Sequence, residues 1–330
     1  MKRLITVEEH YSSNRIMEML EREANTSQPE AVMAPPQPQM RDAAPGVDDL
    51  GEGRIAYMDS HGIDTQIISY ASGVPATLPP RLAIPFTRRV NDEMAEKASA
   101  YPGRFYLFAH LPLGDGKAAA EEFERCVKEL GFVGAMLSGH YRDLPYDDEN
   151  YFPIFEKAQE LDVPVYLHPG IVSKEVTDKY YRGSWSPRVT FNLAGFGVGW
   201  HYDVGMQIVR MILAGTFDRL PDLKIMTGHW GELVSFYMYR MDEIPKELTG
   251  LKKNVSDYFK ENVYVNPSGM LYKEQFRYCL DTFGVDHITW GGDYPYRKKE
   301  DIRTFLEEFD LPEEDKEKIA HGNAERLLRI

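Results

Sequence analysis

The chain contains little cysteine. Only Cys126 and Cys279 occur among its 330 residues, and neither belongs to a CxxC pair. A fold held together by disulfides and a cysteine-based zinc site are therefore excluded, and a reducing, cytoplasmic location is expected. The sequence also lacks an apolar run long enough for a signal peptide or a membrane span, so no association with a membrane is expected.

Basic residues are in the minority as well. The chain has 38 lysines and arginines against 52 acidic residues, which gives a formal net charge of −14. No long Lys/Arg run is available to neutralise phosphates, which excludes nucleic acid as a general partner. Hydrophobic residues make up 43% and aromatic residues 12% of the sequence. This composition supports a large packed core and excludes disorder for most of the chain.

Short apolar or β-branched runs alternate with amphipathic helical patterns along the whole chain. Tyr151, Ile154, Phe155, Ala158 and Leu161, for example, fall on one face of a helix. Eight such units in a chain of this length predict an α/β protein with a (β/α)8 TIM barrel, formed as a single domain by residues 1–330. The predicted strands are residues 4–7, 65–69, 105–109, 133–137, 163–167, 224–227, 263–265 and 288–290.

Two segments interrupt this alternation. Residues 24–50 follow the first strand and contain five prolines, and residues 170–205 follow the fifth strand and are rich in glycine. We expect both to be loop insertions at the end of the barrel where such enzymes place their active sites. They would either cover or line a pocket there, or be solvated surface loops.

Polar side chains follow several of the predicted strands, at the end where each strand finishes. Because alternate residues of a strand share a face, Glu8 and His10 are expected to point together while Glu9 points away. His168, His229 and Asp293 occupy equivalent positions after the fifth, sixth and eighth strands. Two imidazoles and two carboxylates at one barrel mouth form a plausible divalent metal site, with a third imidazole beside it.

Each of these residues also has a purely structural interpretation. A single histidine at a strand end can be a hydrogen-bonded core residue, and an aspartate can stabilise a turn. Their joint occurrence at four strand ends is what favours the metal site. Three further histidines, His110, His140 and His201, are candidates for the pocket wall, and the sequence leaves a structural role for each of them equally open.

The motifs together resemble a known family. Glu8-x-His10 occurs with YLHPG at 166–170, GHWGE at 228–232, GGDYP at 291–295 and GNAERLL at 322–328. This combination resembles the amidohydrolase superfamily. Within it, the chain is most similar to the branch that contains amino-carboxymuconate-semialdehyde decarboxylase and the γ-resorcylate and 2,3-dihydroxybenzoate decarboxylases.

The resemblance implies a role for each site residue. It makes His229 the catalytic histidine held by Glu232, places Arg240 at the substrate, and favours decarboxylases because Glu8 stands where many other members carry histidine. The segment after Arg240, MDEIP, departs from the family pattern. The residues that the resemblance implies as metal ligands are Glu8, His10, His168 and Asp293.

The implied function is non-oxidative decarboxylation of a hydroxylated aromatic acid by a carbon–carbon lyase. One divalent ion, zinc or manganese, would chelate the substrate's carboxylate and phenolate, Asp293 would donate the proton, and no organic cofactor would be needed. The family also implies a homo-oligomer, a dimer or a tetramer. A second hypothesis is a hydrolase or hydratase that acts on a lactone or unsaturated keto acid through a metal-bound hydroxide. A third is a non-catalytic metal-binding protein on the same scaffold.

Overall fold

The strands form one parallel sheet in chain order. The computed structural model of the protein describes residues 1–27, 44–71 and 78–330. Seven strands lie side by side in the order β1 to β7, and every neighbouring pair is parallel. This curled α/β sheet agrees with the predicted alternation. The strands are β1 Ile5–Tyr11, β2 Thr65–Tyr70, β3 Phe105–His110, β4 Gly134–Ser138, β5 Val165–His168, β6 Ile225–Thr227 and β7 Val263–Val265.

The eighth predicted strand is reduced to a single bridge between Val265 and Ile288. Its backbone nevertheless bonds to both edges of the sheet. The Thr289 N–H donates to the Val265 carbonyl at 2.9 Å, and the Val7 N–H donates to the Trp290 carbonyl at 2.8 Å. Gly291, which follows this segment, lies directly against β1, where a Cβ atom would come within 2.3 Å of the Val7 oxygen.

Helices connect consecutive strands and cover the sheet. The longer ones are α1 Asn14–Ser27, α2 Glu52–Ser60, α3 Pro80–Ala98, α4 Gly116–Leu130, α5 Phe152–Leu161, α6 Gly199–Leu213, α7 Val255–Asn262 and α8 Lys273–Phe283. Short helical segments occupy Tyr141–Asp143, Lys174–Val176, Thr177–Tyr181, Pro187–Asn192, Leu193–Gly197, Thr216–Arg219, His229–Glu232, Val234–Tyr237, Met238–Met241, Lys246–Thr249, Val285–His287, Thr304–Glu307, Glu313–Glu317, Lys318–Gly322 and Asn323–Leu328.

The core has two parts, one on each face of the sheet. The larger cluster packs the helices against the strands. The smaller cluster holds alternate strand residues such as Val7, Ile67, Phe108 and Tyr166, and Leu327 of the C-terminal helix packs against them. Side chains on this concave face alternate with those on the helix-covered face, as the period of a β-strand requires.

The two predicted insertions differ in how far the structure describes them. Most of 24–50 lies outside the described residues, which end at Ser27 and resume at Ala44. The stretch 170–205 is largely helical, with four short segments followed by the start of α6. Among the described residues, none of the helices combines the length and the hydropathy needed to cross a bilayer.

Asn323 joins the C-terminal helix to the eighth segment, and its replacement tests this attachment. Its buried Nδ2 donates to the carbonyls of Val285 and Ile288 at 2.8 and 2.7 Å. Asn323→Ala would leave both carbonyls without this partner, so we expect the free energy of unfolding to fall by about 1–3 kcal/mol in urea titrations. Asn14→Ala, which removes only an exposed bond to Asp48, should change it by less than about 0.5 kcal/mol. Equal effects would contradict the assigned role.

Candidate active site

A bulge in β1 creates the first half of the site. Val7 pairs with Ile67 and Glu9 with Ile68, so Glu8 is an extra residue with no partner of its own in β2. Its φ of 72° lies in the left-handed region. The extra residue shifts the alternation, so that His10 falls on the concave face with Val7, and the Glu8 side chain also turns towards the site. Strand β1 continues to Tyr11, and Glu8 and His10 therefore lie within the strand and not after it.

The Glu8 carboxylate is fully buried and held from one side. Its Oε2 accepts hydrogen bonds from the hydroxyls of Tyr166 and Ser268. Asn266 fixes both of these donors. Its side-chain Nδ2 donates to the Tyr166 hydroxyl at 2.9 Å, and its Oδ1 accepts from the Ser268 N–H at 2.8 Å. The other oxygen, Oε1, has no hydrogen-bond partner among the described residues.

Two imidazoles, those of His168 and His10, lie near this free oxygen. His168 Nδ1 lies 2.8 Å from the Pro169 carbonyl, which can only accept, so Nδ1 carries the proton and Nε2 bears a lone pair. That Nε2 lies 3.5 Å from Glu8 Oε1. His10 Nδ1 contacts the Ser69 hydroxyl at 3.2 Å, and its buried Nε2 has no hydrogen-bond partner within the described part of the chain.

Asp293 completes the cluster from the loop after the eighth segment. Its Oδ1 lies 3.3 Å from His10 Nε2, and its φ is 59°. One ligand atom each from Glu8, His10 and His168 lie within 4.8 Å of one another. The four residues predicted as metal ligands are therefore neighbours in the structure.

The electrostatics of this cluster favour a bound cation. Burial raises the pKa of Glu8 to about 7, although His229 and His10 favour its ionised form. Burial, together with the nearby His10 and His229, holds the pKa of His168 well below its usual range. The lone pair of the neutral His168 imidazole therefore faces a buried oxygen of Glu8. Both atoms are acceptors, and a divalent ion between them would satisfy both. The residues present fit a metal with mixed nitrogen and oxygen ligands.

His229 lies beside this cluster and is bound to Glu232, as expected. Its Nδ1 lies 2.8 Å from Glu232 Oε1, while its Nε2 lies 3.9 Å from Glu8 Oε1. Although burial acts in the opposite direction, the carboxylates of Glu232 and Glu8 raise the pKa of His229 to about 9. His229 is therefore protonated near neutral pH and can donate a hydrogen bond towards the cluster through Nε2.

A second histidine shares the same carboxylate. His201 Nδ1 lies 2.7 Å from Glu232 Oε2, and its ring packs 4.2 Å from that of His229, measured between ring centroids. Although burial favours the neutral form of Glu232, His229 and His201 lower the pKa of its carboxyl. Of the three histidines left open by the sequence, His201 is the one that contacts the predicted catalytic pair.

The structure leaves three other predicted residues apart from this cluster. The Arg240 side chain is 74% exposed and forms an ion pair with Glu243. His140 pairs with Asp203 at 3.1 Å. His110 is buried against the rings of Tyr70 and Phe86.

Sequence reasoning missed the residues that hold Glu8 in place. Tyr166 and Ser268 carry hydroxyls that the sequence pattern does not distinguish from packing or turn residues. One available signal was Gly228 in the GHWGE motif. A Cβ atom there would lie 2.2 Å from Ser268 Oγ and 2.4 Å from Glu8 Oε2, so this position requires glycine.

Gly228→Ala tests whether this packing maintains the metal site. The added methyl group must displace the Glu8 carboxylate or the Ser268 hydroxyl, so we expect manganese or zinc content, measured on the purified protein by elemental analysis, to fall well below that of the wild type. Gly322→Ala is the control, because that glycine has helical φ and ψ and a Cβ there meets nothing closer than 3.6 Å. Unchanged metal content in Gly228→Ala would contradict the site as described.

Comparison with known proteins agrees with this geometry. γ-Resorcylate decarboxylase of Polaromonas sp. (strain JS666) is 36% identical over 296 residues, covering 86% of this chain and 88% of that protein. A crystal structure of dihydroxybenzoic acid decarboxylase from the same strain, with manganese and the inhibitor 2-nitroresorcinol, has a TM-score of 0.85 at 32% identity. The match covers 100% of this chain and 97% of that one.

A third relative extends the comparison to another substrate. The structure of 5-carboxyvanillate decarboxylase from Novosphingobium aromaticivorans, complexed with manganese and 4-hydroxy-3-methoxy-5-nitrobenzoic acid, has a TM-score of 0.86 at 28% identity. The match covers 99% of this chain and 96% of that one. Residues 37–330 match the family model described as amidohydrolase. The chain therefore belongs to the amidohydrolase family, in the branch that contains the hydroxybenzoate decarboxylases.

Proposed function

We propose that the protein is a metal-dependent, non-oxidative decarboxylase of a hydroxylated aromatic carboxylic acid. The observation that carries this proposal is the free, buried Oε1 of Glu8, which lies 3.5 Å from His168 Nε2 and 3.9 Å from His229 Nε2. His10 and Asp293 form the neighbouring pair. Similar proteins of the branch decarboxylate dihydroxybenzoates, and solved examples contain manganese. The substrate class proposed here is accordingly a benzoate with a hydroxyl group next to the carboxylate.

The proposed metal ligands are Glu8, His10, His168 and Asp293. Manganese is the proposed ion, since similar structures hold it, and no organic cofactor is invoked. When bound, the ion would hold the substrate's carboxylate and phenolic oxygens and offset their negative charge. The surrounding residues orient the ligands. Tyr166 and Ser268 hold Glu8, and the Pro169 carbonyl keeps the His168 proton on Nδ1.

Asp293 is the proposed proton donor. Its carboxyl group would transfer a proton to the ring carbon that bears the carboxylate, which interrupts the aromatic system. The bond to the carboxylate carbon then breaks, its electron pair restores the ring, and carbon dioxide leaves. The donated proton would stay on the ring carbon of the product, and Asp293 would take up a new proton from solvent water before the next turnover.

His229 would bind the phenolic oxygen as a cationic donor. Glu232 accepts from its Nδ1, so the proton on Nε2 points towards the cluster where the substrate would lie. A charged donor in a buried site stabilises the negative charge that returns to this oxygen as carbon dioxide leaves and the ring regains its aromaticity. We propose Arg240 as a further contact to anionic oxygens, which requires its guanidinium to leave Glu243.

The finer features of the fold are proposed on the same basis. The bonds from the eighth segment to β1 and β7 support a (β/α)8 barrel formed by a single domain of residues 1–330. We propose that 170–205 lines the pocket, since His201 of α6 reaches Glu232. Exposed apolar side chains between Leu233 and Leu248 support a homo-oligomer. The two cysteines, both free and buried, are compatible with a cytoplasmic location.

Asp293→Asn tests the proton donor. The amide keeps the shape of the side chain but cannot deliver an acidic proton, so we expect kcat for carbon dioxide release from 2,6-dihydroxybenzoate to fall about 10²–10⁴-fold. Metal content is measured on the same samples, which separates loss of the ion from loss of the donor. Asp310→Asn, at an exposed position, should behave as the wild type. Full activity in an Asp293→Asn protein that retains its metal would disprove the assigned role.

Arg240→Met tests the substrate contact. Removing a guanidinium that binds an anionic oxygen is expected to raise KM about tenfold or more, with a smaller change in kcat. Arg329→Met offers a comparison at another exposed arginine, which pairs with Asp162, and should leave KM unchanged. If KM is the same in Arg240→Met and in the wild type, Arg240 does not bind the substrate.

A further inference from the structure

Glu9 is a buried carboxylate in β1, between the proposed ligands Glu8 and His10. It is fully buried and, because of the bulge at Glu8, points away from the concave face. Both of its oxygens accept backbone hydrogen bonds from the loop after the eighth segment. Oε1 accepts from the Gly292 N–H at 2.9 Å, and Oε2 accepts from the Tyr294 N–H at 2.8 Å.

These two bonds enclose Asp293 along the chain. Asp293 has a φ of 59°, a backbone conformation that residues other than glycine rarely adopt. A residue held there is strained and persists only when its surroundings fix it. The Glu9 carboxylate supplies such a constraint, since it binds the N–H groups immediately before and after Asp293. The His10 N–H adds a third bond by donating to the Tyr294 carbonyl at 2.7 Å.

The space around Glu9 leaves this loop little freedom. A Cβ atom on Gly292 would lie 2.9 Å from Glu9 Oε1, which shows how closely the loop backbone approaches the carboxylate. On the other side, the buried Arg54 donates to the His10 carbonyl and lies 4.8 Å from the centroid of the Tyr294 ring. Burial raises the pKa of Glu9 to about 8, whereas the two N–H donors and Arg54 favour its ionised form.

We propose that Glu9 is a positioning residue for Asp293, which acts by holding the backbone on both sides of it. Glu8 and Glu9 thus serve one centre from opposite faces of the same strand, one as a ligand and the other through the backbone of a second ligand. The inference rests on the proposed function, because it assigns Glu9 a role only if Asp293 binds the metal. Outer-shell partners of metal ligands commonly contribute 10–100-fold to metal affinity or activity.

Glu9→Gln and Glu9→Met test this proposal. Glutamine retains one acceptor oxygen and methionine retains none, while both keep the length of the side chain. We expect the affinity for Mn²⁺, measured by competition with a chelator, to fall about 10-fold in the first and up to about 100-fold in the second. At saturating Mn²⁺, kcat should fall with little change in KM. The electron paramagnetic resonance spectrum of bound Mn²⁺ should also change, because a displaced Asp293 alters the ligand geometry. If Glu9 had a purely structural role, the ligand geometry and the spectrum would stay as in the wild type.

Glu122→Gln is the matched control. Glu122 is also a buried carboxylate, on α4, but its partners are Asn91 and Arg125, so Mn²⁺ affinity, kcat and spectrum should remain those of the wild type. Wild-type values in a folded Glu9 variant would overturn the proposal. Loss of the fold in both variants would also contradict it, since Glu9 would then serve the sheet and not Asp293. If Glu8→Gln binds Mn²⁺ as the wild type does, the proposed function itself fails.

Discussion

The site depends on how one buried carboxylate is satisfied. Glu8 has no access to solvent, and its two oxygens have different surroundings: two hydroxyls saturate one, while the other faces imidazole nitrogens. A carboxylate in such a position is costly unless a positive charge compensates it. His168 cannot supply that charge, because it is kept neutral, and His229 stands 3.9 Å from the free oxygen and is bonded to another carboxylate, Glu232. The arrangement therefore favours a divalent ion, and the side chains around Glu8 orient its free oxygen towards that ion.

Backbone strain is concentrated in the same place. Glu8, His229, Glu232, Ser268 and Asp293 all have positive φ, and none of them is glycine. Such conformations occur where neighbouring contacts fix them, and they are frequent at functional sites. Here the contacts are specific bonds to side-chain oxygens, such as the His229 N–H that donates to Ser268 Oγ at 2.9 Å. The strands provide a rigid base, and the residues that leave them are turned inwards by these bonds.

The sequence predicts much of this arrangement and misses identifiable parts of it. Periodicity was sufficient to predict a parallel α/β sheet, and strand ends brought Glu8, His10, His168 and Asp293 together. It could not predict the bulge, because an extra residue in a strand leaves no signature in a single sequence. The prediction of an eighth regular strand was wrong, since the segment forms a single bridge, between Val265 and Ile288. Shared partners, such as Glu232 between His201 and His229, arise only from three-dimensional packing.

The bulge also determines which face of the sheet carries the ligands of β1. Val7 and His10 face the same side of the sheet although three positions separate them, which an unbroken strand does not allow. The same residues in a strand without the bulge would alternate regularly, so that Glu9 would face the concave side and both Glu8 and His10 the helix layer. The bulge therefore decides on which side of the sheet the centre forms, although alternation alone already predicts that Glu8 and His10 share a face.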